Sequence, residues 1–349
     1  MNYHYCEFKS NGHGSYDDEF TWKNTRVESS DWGSNGIDTE NCTHEYFESH
    51  NVCYPFDQLF GGGQGVYGLT EYSGVTVNYP AIEGPKFVEN ASELTDAIAS
   101  GEDVVLPAPK YDGEGNITNG LNMGTTQLAI DKPVTIDLNG NNLTTANNWG
   151  GITLKNGASI KNGTINHTGN TAAIKAWNVE SIENVTINVT PTDGKVKGGI
   201  VIQSGADSRI GTLKNVTISG TTNGIETYNC GWTDDTPAID YMENVTIDAT
   251  DTGILLSAHI GKAKNCSIKG ANYGINMHLK GEYKVGIELD SCTVTGAEAA
   301  LWGHDEKGIS NTNNCSLTLT YDAETVFNGP FIWDFEDECK SVVTLNALK

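Results

Sequence analysis

The sequence predicts an all-β chain wound as a solenoid of parallel strands, preceded by an irregular segment. Three observations carry that expectation. A four-residue block beginning with asparagine returns along most of the chain. Around each copy stand short stretches in which apolar and polar residues alternate. Within a repeat, no amphipathic run reaches helical length.

The block reads NGTI from Asn162, NVTI from Asn184, Asn215 and Asn244, NCSI from Asn265, SCTV from Ser291 and NCSL from Asn314. Its steps are 22, 31, 29, 21, 26 and 23 residues. A second block keeps pace with it, marked by Ile152, Ile174, Ile200, Ile225, Ile254, Ile275 and Leu301. A third apolar position precedes the asparagine by two residues, at Ile160, Ile182, Leu213, Met242, Ala263 and Leu289. Alternation places one side of each segment inward and the other outward, which is the period of a strand. Variable steps around fixed segments mean loops of unequal length between constant rungs, the mark of a stacked-coil architecture.

The asparagine has a physical cause. A tight bend between strands needs left-handed backbone, which asparagine tolerates better than most residues. Stacked one rung apart, about 4.8 Å, such amides hydrogen-bond along the stack. The next position is inward and holds Gly163, Val185, Val216, Val245, Cys266, Cys292 and Cys315. Cysteine there stands in for valine as a small buried residue, with a disulfide as the competing reading. The N-x-T pattern is thus mainly a by-product of bend, core and outer strand positions. No cysteine or histidine spacing points to zinc among Cys6, Cys42, Cys53, Cys230, Cys339 and the three in the column.

With these blocks in place, residues 86–335 resemble a right-handed parallel β-helix of the pectate-lyase-like kind. The stretch FVENASELTDAIASGEDVVLP at 87–107 is similar to the N-terminal entry of that fold. There Ser92 is expected to cap a short helix whose Leu94, Ala97 and Ile98 form an apolar stripe that plugs the open end. PVTIDLNGNNLTT at 133–145 resembles a first regular rung. The resemblance implies a fold, and such folds host lyases, hydrolases, adhesins and spikes alike.

Residues 1–85 read differently. They show no repeat and little apolar periodicity, yet carry Tyr3, Tyr5, Phe20, Trp22, Trp32, Tyr46 and Phe47 among polar residues. A glycine-rich stretch, FGGGQGVYGLTEYSG, follows at 60–74. Disordered tails are poor in aromatics, so this segment is expected to be an anchoring arm or small irregular domain that orders by docking to another chain. The aromatics Phe327, Phe331, Trp333 and Phe335 are expected to cap the last rung, with 336–349 as a C-terminal cap or tail.

Composition excludes some classes. The chain has 349 residues, with 45 acidic against 21 basic and a net charge of −24. That balance repels nucleic acid and anionic membrane, and no basic stripe offsets it. No apolar run reaches the length of a membrane span. The start, MNYHYCEFKSNGHGSYDD, lacks a basic flank followed by an apolar run, so synthesis in a host cytoplasm without an export signal is expected. No metal or other cofactor is expected.

For catalysis, the hydrolase motifs of the resembled fold are mostly missing. Gly12, His13 and Gly14 lie outside the repeats, the Asp234–Asp235 pair sits in an excursion, and the NTD and RIK motifs are absent. Arg209 is the one candidate for the arginine base of a lyase, with no aspartate cluster beside it. Glu226, Asp234 and Asp235 remain candidate carboxylates for a glycan hydrolase or lyase, since paired carboxyls about 5–9 Å apart can act on glycosidic bonds. Glu226 is expected to face outward, between Ile225 and Thr227.

The outward columns of the second block suggest binding. One runs Lys175, Val201, Glu226, Leu255, Asn276, Trp302, and two residues on another runs Trp177, Gln203, Tyr228, Ser257, His278, His304. Aromatic planes beside amides and imidazoles suit sugar rings. Trp177, Gln203, Tyr228, Trp232, His278, Trp302 and His304 are therefore the candidate glycan contacts, walled by excursions at 189–198 and 229–237. The competing reading packs these aromatics under loops or into a subunit contact. The expected function is a virion-associated spike or fibre of a bacteriophage, similar to tailspike shafts. It would be a trimer that docks to other virion proteins through residues 1–85 and touches host-surface polysaccharide. The alternatives are a polysaccharide depolymerase on the same face and a purely structural decoration protein.

Overall fold

The computed structural model describes residues 85–190, 198–205, 207–228, 236–279, 284–305, 316–335 and 342–348, and the backbone of eight short strands among the first 84 residues. The chain divides into two compact units, Met1–Gly84 and Pro85–Lys349.

The second unit is built almost wholly of parallel sheets. One has nine strands, namely Leu128–Ile130, Ile152–Leu154, Ile174–Ala176, Gly198–Ile202, Asn223–Thr227, Thr252–Leu256, Tyr273–Leu279, Ala299–Asp305 and Phe331–Asp334. Two further ladders flank the asparagine bend. Between Ile210–Lys214 and Thr217–Ser219 lies Asn215, and the same order recurs with Ile239–Glu243, Asn244 and Thr246–Ala249. Each passage through the bend is followed by one strand of the nine-stranded sheet. The architecture is mostly β with long parallel sheets, compatible with an all-β parallel solenoid.

The inward columns are those read from the sequence. Ile152, Ile174, Ile200, Ile225, Ile254, Ile275 and Leu301 are completely buried. So are Ile160, Ile182, Leu213, Met242, Ala263 and Leu289 in the ladder before the bend. Burying one such isoleucine or leucine stabilises by about 1.5–3 kcal/mol. The position after the bend narrows the core, and Val185, Val216, Val245, Cys266 and Cys292 fill it. At Gly163, an added Cβ would meet Leu138 Cβ at 2.5 Å, so this rung has no room for the valine of its neighbours. Cys266 and Cys292 are free thiols, not a disulfide; Cys315 and the remaining cysteines lie outside the described residues.

The bend residues Asn162, Asn184, Asn215, Asn244 and Asn265 all have φ between 52° and 58°. Their amides form a ladder. Asn184 Nδ2 donates to Asn162 Oδ1 at 2.9 Å, Asn215 to Asn184 at 2.8 Å, and Asn244 to Asn215 at 2.9 Å. The ladder begins on Asp137, whose carboxylate accepts from Asn162 at 3.1 Å. Ser291 keeps the bend with φ 56°, and Asp322 accepts its N–H at 2.9 Å.

Helix α1, Ala91–Ser100, buries Leu94, Ala97 and Ile98 as the stripe predicts. Its cap is Asn90, not Ser92. The Asn90 side chain accepts from Ser92 N at 3.1 Å and Glu93 N at 3.0 Å. Ser92 falls two residues too late, inside the first turn. Gly101 closes the helix at φ 79°.

Two other expectations change. The last described strand, Val342–Ala347, pairs in parallel with Ser316–Tyr321, so part of the segment expected as a cap or tail extends a ladder. In the first unit the described strands are parallel and periodic. Asn2 pairs with Thr21 and Thr21 with Thr43, while Phe8 pairs with Val27 and Val27 with Ser49. A repeat is therefore present where none was read. Its strand residues, such as EFKS and FESH, are polar enough to mask the period-two signal.

Candidate outward-facing binding surface

The outer face of the nine-stranded sheet is set by register. Lys175 pairs with Val201, Val201 with Glu226, Glu226 with Leu255, Leu255 with Asn276, Asn276 with Trp302, and Trp302 with Ile332. Beside this column, Trp177 N donates to Leu154 O, Gln203 N to Ala176 O and Tyr228 N to Ile202 O, at 2.9–3.0 Å. His278 pairs directly with His304. The first column therefore stacks as the sequence spacing requires, and the second does so at Trp177, Gln203 and Tyr228 and again at His278 and His304, because buried residues two apart fix which side chains turn out; between them Ser257 N bonds Thr227 Oγ1.

At the centre of the face Glu226 turns away from the inward column yet is only 2 % exposed. Asn223 Nδ2 donates to its Oε1 at 2.8 Å and the Tyr228 hydroxyl to its Oε2 at 2.6 Å. This corrects the expectation of an outward, available carboxylate. Alternation gives the direction of the side chain but not what closes over it. A carboxyl held by two donors and shut from solvent is a positioning group for Tyr228, which is 44 % exposed. Burial, followed by the hydrogen bond to Glu226, raises the Tyr228 phenol above its ordinary range.

Toward the C-terminal rungs four rings lie against one another. Tyr273 and Trp302 stack with centroids 4.6 Å apart, Trp302 and His304 at 4.0 Å, and His278 and His304 at 4.5 Å. His304 Nε2 lies 2.9 Å from Asn276 Oδ1, and Nδ1 lies 3.4 Å from the Asp305 carbonyl oxygen. Burial lowers the His304 pKa, so the ring favours its neutral form. The Tyr273 hydroxyl donates to Glu298 Oε2 at 2.6 Å, and that bond, with burial, pushes its pKa up to about 12. Each ring is thereby fixed in orientation by a neighbour or a polar anchor.

The N-terminal rungs carry a different group. Lys155 Nζ lies 4.5 Å from the centre of the Trp177 ring. Trp149, just before the Ile152–Leu154 strand, is 78 % exposed. Tyr273, Asn223, Trp149 and Lys155 were missed as site residues. Tyr273 and Asn223 occupy one register column, through Thr252. Each stands just before the glycine of its repeat block, a position the period-two reading assigns to no face.

Trp232, Asp234 and Asp235 lie outside the described residues. Arg209 pairs with Asp240 at 3.6 Å, away from this face, in the ladder before the bend. Among the described residues, no group of three or more histidine, cysteine, aspartate or glutamate side chains is placed to hold a metal, and no helix is long and apolar enough to cross a membrane. Comparison of this chain with protein-family models, with characterised proteins and with solved structures gives no match.

Proposed function

We propose that this chain is a right-handed parallel β-helix of the spike or fibre type that contacts surface glycan with the outer face of its nine-stranded sheet. The observation that supports this best is the register of that face: Trp177, Tyr228, Tyr273, His278, Trp302 and His304 lie along it on four of its rungs, with Asn276 and Glu298 holding the rings. Pre-set rings with polar edges offer both contacts a sugar makes, C–H groups against aromatic carbon and hydroxyls against donors and acceptors. Residues 1–85 serve as the arm that docks to other virion proteins, the working form is a trimer, and the site of action is the virion.

Binding is favoured over cleavage because Glu226, the best-placed carboxyl, is buried and engaged twice. A general acid must reach the glycosidic oxygen, and this one faces Tyr228 and Asn223.

The test is a glycan array probed with the full chain, alongside immuno-electron microscopy of phage particles. Retained array binding that falls when Trp302 and Trp177 are replaced by alanine supports the reading. An array without any signal, with the protein absent from particles, removes it. Release of reducing ends from a bound polysaccharide moves the assignment to the depolymerase.

A further inference from the structure

The two lysines at the N-terminal end of this face stand out in a chain whose net charge is −24. Several other cations of the second unit are paired: Lys161 with Asp137, Arg209 with Asp240, Lys214 with Glu243, Lys262 with Glu288 and Asp290, and Lys269 with Asp248. Lys155 and Lys175 form no ion pair among the described residues. They lie on adjacent rungs of one face. Thr153 pairs with Lys175, and Leu154, just before Lys155, pairs with Ala176, just before Trp177. Lys155 and Lys175 are therefore diagonal neighbours, a separation of about 7–8 Å between backbone positions.

Both stems are held. The Lys155 ammonium sits over Trp177. The methylenes of Lys175 lie along Gly150, where an added Cβ would meet Cδ at 3.0 Å and Cε at 3.1 Å. Gly150 itself has φ 132°, a conformation that strains any residue with a side chain. Its neighbour Trp149 stands on a pinned turn: Asn147 Oδ1 accepts the Trp149 N–H at 2.7 Å, and Asn147 Nδ2 donates to Thr125 O at 2.6 Å. An indole 78 % exposed on an anchored turn is a ring offered to solvent.

Two ammonium groups without an ion pair among the described residues, on the same face as an exposed indole, have a specific complement. From this geometry, and resting on the glycan-contact reading above, we propose that Lys155, Lys175 and Trp149 form a subsite for a sugar bearing an anionic group: a carboxylate, sulfate or phosphate. The ammonium groups take the anion, and the indole takes the C–H face of the ring. Because the whole chain repels polyanions at a distance, recognition at this subsite is short-ranged.

The experiment measures binding of the full chain to immobilised polysialic acid, dextran sulfate and polyglycerol phosphate, with neutral dextran and polyglutamate as controls. At least one anionic polymer carrying sugar or polyol is expected to bind more tightly than neutral dextran, and less tightly as salt rises. The Lys155→Ala/Lys175→Ala pair should weaken that binding roughly tenfold or more, as for lost charge-assisted hydrogen bonds, while Lys155→Arg/Lys175→Arg retains it. Trp149→Ala should weaken binding to the sugar polymers. All variants are at partly exposed positions and should keep the parent unfolding temperature. Binding to neutral glycans alone overturns this subsite and leaves the glycan reading standing. Equal binding to polyglutamate, or an unchanged affinity in the double alanine variant, also overturns the subsite. Failure to bind any glycan removes both.

Discussion

Asn215 donates its side-chain N–H to Oδ1 of Asn184 at 2.8 Å, although 31 residues of chain separate them. Both sit in left-handed backbone, at φ 52° and 55°. One residue type thus meets two demands at once, a strained bend and a bond to the next rung. Replacing Asn215 by alanine removes both. The expected loss is about 1–3 kcal/mol, from the left-handed penalty and the broken amide bonds. Asn215→Gly should cost less, because glycine keeps the bend. Chemical denaturation of the three proteins checks the order. At Ser291, where serine holds φ 56°, Ser291→Asn should raise stability by roughly 0.5–1 kcal/mol.

Cys266 continues a column of valines and is buried. Cys266→Val should change stability by less than about 1.5 kcal/mol, as a swap of similar volume. Residue-resolved alkylation followed by mass spectrometry should find Cys266 and Cys292 unmodified in the native protein and labelled only on unfolding. Rapid native labelling would contradict their burial.

The Glu226–Tyr228 contact makes a prediction at high pH. The Tyr228 phenol is raised in the folded chain by burial and by Glu226. Its contribution to stability is therefore complete below the ordinary tyrosine range, near pH 10, and is lost as pH climbs through the raised value. Glu226→Gln leaves the Tyr228 hydroxyl and Asn223 amide with one acceptor fewer, at a cost of about 1–3 kcal/mol. Ultraviolet titration should show one tyrosine ionising earlier in that variant than in the parent.

Histidines set the acid side. His167 is completely buried, with Nδ1 2.8 Å from Thr145 Oγ1, and burial lowers its pKa. Burial lowers that of His304 as well. A depressed folded value means that stability is full above the unfolded histidine value of about 6.5 and declines as pH falls through the folded one. Thermal melts from pH 7.5 to 5 should therefore show a falling midpoint. His304→Gln should flatten part of the slope. A pH-independent midpoint in the parent would refute the buried placement of His167 and the partial burial of His304.

The capping of α1 gives a local test. Asn90→Ala removes the acceptor for two backbone N–H groups and should cost about 1 kcal/mol, whereas Ser92→Ala should cost a few tenths at most. Helix-region hydrogen exchange reads the difference.

What the sequence disclosed was whatever repeats. The isoleucine columns, the asparagine bends and the outward pairing of Trp302 with Asn276 all follow from spacing, because register admits no one-residue slip without exposing the core. What it withheld depends on contacts that do not repeat. Glu226 alternates outward like Lys175, yet only its partners Asn223 and Tyr228 reveal that it is shut in. Tyr273 and Trp149 occupy positions beside glycines, where the chain turns and the two-residue period loses its meaning. The strands of the first unit escaped because they are short and most carry a single large apolar residue, as Phe8 in EFKS and Phe47 in FESH, too few to set a period.

The unequal spacing of the asparagines, 31 residues in one interval and 21 in another, has an evolutionary corollary. A longer excursion adds only the slowly growing entropy of closing a wider loop, while the frame beneath keeps its place. Loops on such a scaffold can be traded, lengthened or trimmed one at a time, and a lineage can reshape the surface without rebuilding what lies under it.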